Sequence, residues 1–255
     1  MAEYSYTEKQ KAARAQFEAD RGKWKWSDTW ETILQLNPDI LSAYSTMSSV
    51  PHKKGHLDQK TKEMLYVAID GAITELYLPG LSSHLKHGLD IGVTKEEFLE
   101  VLAITSTTGT ATYTMGIPIL AEELKAVGID IEAQPLTQDQ KGLKERYIRE
   151  NGYWDGTLEA TVKLDEDMFK SYMDYVHASL EGGVLDAKTR EFIYIAANAA
   201  PTSLNKEATR IHIRRALEAG ATKEELIEVF ESIACLGIHT VTVGVPALNE
   251  ALKTK

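Results

Sequence analysis

Two stretches, Leu57-Asp-Gln-Lys-Thr-Lys-Glu-Met-Leu-Tyr-Val-Ala-Ile-Asp-Gly-Ala and Leu185-Asp-Ala-Lys-Thr-Arg-Glu-Phe-Ile-Tyr-Ile-Ala-Ala-Asn-Ala-Ala, are apolar almost all round. That pattern marks buried helices. Asp58 and Asp186 stand in front of them as N-caps, each offering a side-chain acceptor to the free N–H groups of the first turn. Residues 7–21 and Thr137–Arg149 are rich in helix formers, and Pro38–Ser48 and Glu166–Ser179 predict the helices that follow. His52–His56 and Leu180–Val184 read as loops. Gly92 and Gly220 sit where a left-handed C-cap is wanted, and Thr94/Glu97 and Thr222/Glu225 then open new helices at capping-box spacing. Pro118 and Pro246 suit the first turn of a last short helix in each half. Strand-like alternation is weak everywhere; Thr240-Val-Thr-Val is the one tempting piece.

These elements come in pairs. A shift of 128 residues lays Leu57–Leu124 on Leu185–Leu252 without a gap, with 27 of 68 positions identical. Upstream, Trp24 matches Trp154 at a shift of 130. The chain is therefore a tandem duplication. It predicts an all-α fold of two halves, residues 1–126 and 137–255, of about six helices each, joined by a linker over Val127–Leu136.

Composition narrows the function. The 255 residues carry a net charge of −10, which argues against a nucleic-acid surface, whose affinity needs clustered Lys and Arg. It leaves small acidic substrates open, because a few local cations set the field of a pocket. No run approaches 18 apolar residues and the first ten have no apolar core, so neither a membrane span nor a signal peptide is expected, and a cytoplasmic location is the natural reading. Cys235 is the only cysteine, so an internal disulfide and a Cys-x-x-Cys pair are impossible.

The order Leu-Asp-x-Lys-Thr-Arg-Glu, then His-Ile-Arg-Arg-Ala-Leu-x-x-Gly, then Thr-Lys-Glu-Glu-Leu-Ile-Glu-Val resembles the carboxymuconolactone decarboxylase family, which also includes alkylhydroperoxidase D-like proteins. The segment Asn151–Asp155 fits the same pattern loosely. The resemblance implies an all-α fold assembling into rings, so that a fused pair forms a homotrimer of six repeat domains. Peroxidase members carry Cys-x-x-Cys ahead of a histidine; here the cysteine positions are Tyr77 and Gly80, and Asn205 and Ala208, so thiol peroxidase chemistry has no nucleophile. The decarboxylase members work without cysteine, metal or organic cofactor, in the catabolism of aromatic compounds. The resemblance thus points to a cofactor-free lyase acting on a small acidic lactone or oxygen-rich ring acid.

The candidate catalytic residues are His84 and His212, each with a glutamate on the preceding helix, Glu63 and Glu191. Two readings stand beside each other: acid–base pairs, or core histidines whose carboxylate partner fixes helix packing. His87, Tyr77, Glu75 and Arg210 are candidate substrate-binding residues. No metal is assigned, because the i,i+3 pair His84/His87 with Glu63 is weak evidence for one. The first half is richer in titratable groups, since Asp70, Glu75, Tyr77 and His87 have Asn198, Ser203, Asn205 and Arg215 as twins. The residues leave open which half is active, and a rival reading is a non-catalytic helical ring that binds a small ligand or a protein.

Overall fold

The structure, a computed structural model, describes residues 5–131, 133–154 and 156–254. Met1–Tyr4 and Asp155, on which two of the expectations above fall, lie outside them. The described residues form α-helices and short 3-10 turns with no strand. The first repeat contains α1 (Glu8–Arg21), a 3-10 turn at Lys23–Lys25, α2 (Asp28–Leu36), α3 (Pro38–Lys54), α4 (Gln59–Asp70), α5 (Leu78–Asp90), α6 (Lys95–Thr107) and α7 (Ala111–Ala126). The second contains α8 (Gln138–Asn151), α9 (Gly156–Leu164), α10 (Glu166–Leu180), α11 (Ala187–Ala199), α12 (Lys206–Glu218), α13 (Lys223–Ala234) and α14 (Ile238–Lys253).

The local signals act as read. Asp58 accepts from the Thr61 N–H at 2.9 Å and Asp186 from that of Thr189 at 3.0 Å. Thr94/Glu97 and Thr222/Glu225 both bond reciprocally, and Gly92 and Gly220 take φ of 93° and 87°. Three boundaries differ. Helix α3 runs through to Lys54, so His52 is helical and not in a loop. Pro118 and Pro246 lie inside α7 and α14, not in a first turn. These helices start early because 3-10 turns at Thr108–Thr110 and Cys235–Gly237 hand the chain straight on. The Thr240-Val-Thr-Val piece is part of α14, where the Thr242 hydroxyl bonds back to the His239 carbonyl at 3.2 Å.

The packing does not follow the repeats. One compact unit holds the chain up to Leu102 together with everything from Leu185, and a second holds Ala103–Val184. The boundaries 1–126 and 137–255 mark duplicated sequence, and both units cut across them. The physical reason lies in α4 and α11. Each is buried on nearly every side and packs against the other.

In the first unit this exchange has approximate two-fold symmetry. Lys62 pairs with Glu228 at 2.7 Å, and its twin Arg190 pairs with Glu100, the twin of Glu228, at 2.5 Å. The same carboxylates accept the N–H groups of Leu57 and Leu185. Thr74 and its twin Thr202 bond to one another at 2.8 Å. Around this centre α1, α2 and α3 gather Phe17, Ile33, Leu34 and Leu41, with Val241 and Val245 of α14 against them. Helix α13 buries Leu226, Val229 and Ile233 and packs on α3, α4 and α11. The stretch Lys223–Lys253 is long and apolar enough by length and composition to cross a membrane, a criterion that a buried core helix also meets. Much of that apolar character serves the packing just described.

The second unit gathers Tyr147, Val162, Phe169 and Met173 of α8, α9 and α10, with α7 packed on α9.

Candidate functional site

Helix α4 presents Gln59, Glu63, Tyr66 and Asp70 at spacings of four, three and four, which places them in one stripe. Helix α5 faces it with His84. The two meet where expected: His84 Nδ1 lies 2.6 Å from Glu63 Oε2, and both side chains are buried. Gln59 Nε2 donates to the other Glu63 oxygen at 2.9 Å. His84 Nε2 is met at 3.1 Å by Lys25 Nζ, from the 3-10 turn after α1. The result is a hydrogen-bonded row, Glu63–His84–Lys25, with the Tyr66 ring against the imidazole at 4.6 Å.

This row reaches a cavity of about 260 Å³ lined by Arg21, Trp24, Lys25, His52, Glu63 and His87, together with Asp20 and Gln59. His87 stacks on Trp24 at 3.7 Å and forms part of the wall. The Arg21 guanidinium lies over the Tyr44 ring, gives one bond to the Ser48 carbonyl, and keeps its buried Nε without a partner.

The electrostatics follow from burial. Desolvation, then the charges of Lys25 and Arg21, holds His84 well below the usual imidazole range, so it is neutral, with Nδ1–H donated to Glu63 and Nε2 accepting from Lys25. Glu63 is pushed up by burial against the pull of Lys25. Lys25 is held down to about 7, by burial first and by Arg21 second. His52 drops to about 3 for the same two reasons, and it takes the Tyr66 hydroxyl at 3.3 Å.

A second cluster of titratable groups lies at the C-terminal end of α4. Leu76 adopts φ 44°, a left-handed conformation that costs a leucine about 1–2 kcal/mol, and its twin Leu204 does the same at 46°. That turn returns Tyr77 to Asp70, whose carbonyl accepts the Tyr77 N–H at 2.8 Å. His239 of α14 then stacks on Tyr77 at 3.8 Å, bonds Glu75 at 2.6 Å, and holds Nε2 at 3.4 Å from Asp70. Burial raises Asp70 to about 8. Its buried Oδ2 has no partner and lies where only glycine fits, since a Cβ on Gly80 would come within 2.2 Å.

Of the residues named from sequence, Glu63, His84 and His87 are thus brought to one place, and Glu75 and Tyr77 join the neighbouring cluster. Glu191 and His212 pair at 2.7 Å, with His212 stacked on Tyr194 at 4.3 Å. Arg210 stands apart, its side chain 59% exposed and 3.9 Å from Glu207. Cys235 is buried, bonded to the Glu231 carbonyl, and its thiol is pushed up by burial, which keeps it from acting as a thiolate. Arg21, Lys25, His52 and Gln59 are not among the site residues named from sequence, nor is Trp24, which entered only through its match to Trp154. The repeated tryptophan was a signal, because Lys25 falls beside it at the position of Asp155 in the second copy.

Comparison with known proteins agrees with this architecture. The sequence model of the Carboxymuconolactone decarboxylase family matches residues 38–115 and 166–254, one segment in each repeat. The crystal structure of a candidate gamma-carboxymuconolactone decarboxylase subunit from Burkholderia xenovorans LB400 superimposes with a TM-score of 0.89 at 37% identity, over 96% of this chain and 98% of that one. A 15.0 kDa protein from the nqo9-nqo10 intergenic region of Paracoccus denitrificans is 38% identical over 69 residues, 27% of this chain. The match spans 47% of that relative's own length.

Proposed function

The chain belongs to the carboxymuconolactone decarboxylase family, and we propose that within it the protein is a cofactor-free lyase that decarboxylates a small carboxylated lactone, 4-carboxymuconolactone or a similar oxygen-rich ring acid. The observation that carries this reading is the row Glu63–His84–Lys25 on the wall of a cavity that also holds Arg21.

Loss of CO2 from such a lactone needs a cation to seat the acid, stabilisation of the charge that moves into the ring, and a group that returns a proton. Arg21 supplies the first, through a planar fork suited to a carboxylate. The Lys25 ammonium faces the second and delivers the third. His84 takes part as the acid–base group behind Lys25: its Nε2 exchanges protons with Nζ, while Glu63 fixes the tautomer and turns the ring.

The family resemblance and the apolar residues Val243, Leu248 and Leu252 left exposed on α14 support assembly as a homotrimer of six repeat domains. Sedimentation at micromolar concentration tests it, and a monomer contradicts it. The activity is tested by following the absorbance of 4-carboxymuconolactone together with CO2 release. Saturable turnover without added metal or cofactor is expected. Saturable binding of the lactone with no CO2 release would leave a ligand-binding helical ring instead.

A further inference from the structure

Lys25 carries chemistry that decarboxylation of a lactone does not use. Its Nζ lines the cavity, with the Tyr66 ring 5.5 Å away, the Trp24 ring 5.4 Å away and His84 Nε2 in hydrogen-bond contact. The titratable groups that act on it are Arg21 from α1, Glu63 and Asp70 from α4, and Cys235 after α13. Burial and Arg21 outweigh the acids, so at neutral pH a large share of the amine has a free lone pair. A desolvated amine beside another cation and an imidazole acceptor is equipped to attack a carbonyl carbon. Arg21 lines the same cavity and is placed to hold a carboxylate on the attacked molecule. A surface lysine has neither the acceptor nor the guanidinium.

We propose that the cavity takes small 3-oxo acids, and that Lys25 decarboxylates them through an imine while Arg21 seats the carboxylate. The Nζ lone pair forms a C–N bond to the carbonyl carbon, and one proton passes from nitrogen through His84 Nε2 to the carbonyl oxygen, which becomes a hydroxyl. That hydroxyl takes a second proton from solvent and leaves as water, while the nitrogen keeps its remaining hydrogen and gives the iminium. The bond to the carboxylate breaks, its electron pair moves into the iminium to form an enamine, and CO2 departs. The enamine carbon takes a proton from solvent to give a new iminium, water adds to it, and the ketone leaves with a proton returned to solvent and the Lys25 amine restored. No oxidant or reductant is consumed. This activity is separate from the lactone reading, and its readout does not depend on lactone turnover.

The test uses acetoacetate as the probe, in two arms. With cyanoborohydride present, peptide mapping by mass spectrometry is expected to find one reduced adduct on Lys25, absent in Lys25→Arg and formed at least tenfold more slowly in His84→Asn. Without reductant, acetone is expected to accumulate catalytically. The proposal is overturned by the absence of a Lys25 adduct, by adducts spread over exposed lysines such as Lys9 and Lys86, or by no acetone above the uncatalysed rate. The wild-type map and acetone yield decide the matter even where a variant fails to fold.

Discussion

The two copies of the Glu/His pair are nearly alike in bonding and differ in the residues the duplication places at matching sequence positions. Glu63–His84 and Glu191–His212 close at 2.6 and 2.7 Å, each with a tyrosine ring against the imidazole. Around the first stand Lys25, Arg21, Gln59 and His52. By sequence register alone, the residues matching these are Asp155, Asn151, Ala187 and Leu180. Both cations are lost, and one becomes an acid. A duplicated pair shows that the helix geometry was kept in both halves; the cations beside the first are what the proposed anionic substrate calls for. The pair is a scaffold, and its neighbours decide its chemistry.

Replacing Lys25 with Met breaks this difference most sharply, and lactone turnover is expected to drop about 10²–10³-fold in kcat/KM at unchanged fold by circular dichroism. The next largest effect concerns the paired centre. Lys62 and Glu228 are almost wholly buried, whereas Arg190 is about a quarter exposed. Lys62→Met leaves a buried carboxylate uncompensated and is expected to cost about 3–5 kcal/mol in thermal or urea unfolding. Arg190→Met is expected to cost clearly less.

Asp70 and its twin Asn198 give a comparison already made by the chain itself, since Asn198 bonds the Tyr194 carbonyl at 2.9 Å. Asp70 binds its proton more tightly folded than unfolded, with about 8 against an ordinary 3.8. Between those values the folded state keeps a proton that the unfolded state releases, so stability falls as pH rises. Asp70→Asn is therefore expected to raise the melting temperature at pH 9 by more than at pH 5, by several degrees or about 1–2 kcal/mol. The smallest effect is at the cavity wall. Trp24→Ala removes a face that binds ground and transition states alike, so KM is expected to rise about three- to tenfold with kcat little changed.

Much of the molecule was legible in its sequence because helix signals are local. Asp58, Thr94, Gly92 and their twins act within a few residues of chain, and the apolar surround of α4 and α11 announced their burial. The Glu63/His84 pairing was legible too, through the repeat and the family pattern. The packing across repeats was not, since nothing local says that α4 takes α11 as its cover. Lys25 escaped notice for the same reason. It lies 59 residues from His84, on a short 3-10 turn with no periodic pattern. Arg210, just before the motif-like His-Ile-Arg-Arg run, has a side chain that faces solvent.

The claim that the first copy alone has the surroundings for chemistry is tested most directly by measuring kcat/KM for 4-carboxymuconolactone in His84→Ala and His212→Ala side by side. The account predicts a loss of at least about 100-fold in His84→Ala, some 2.7 kcal/mol of transition-state stabilisation, and less than threefold in His212→Ala. Equal losses, or a larger loss in His212→Ala, would contradict it.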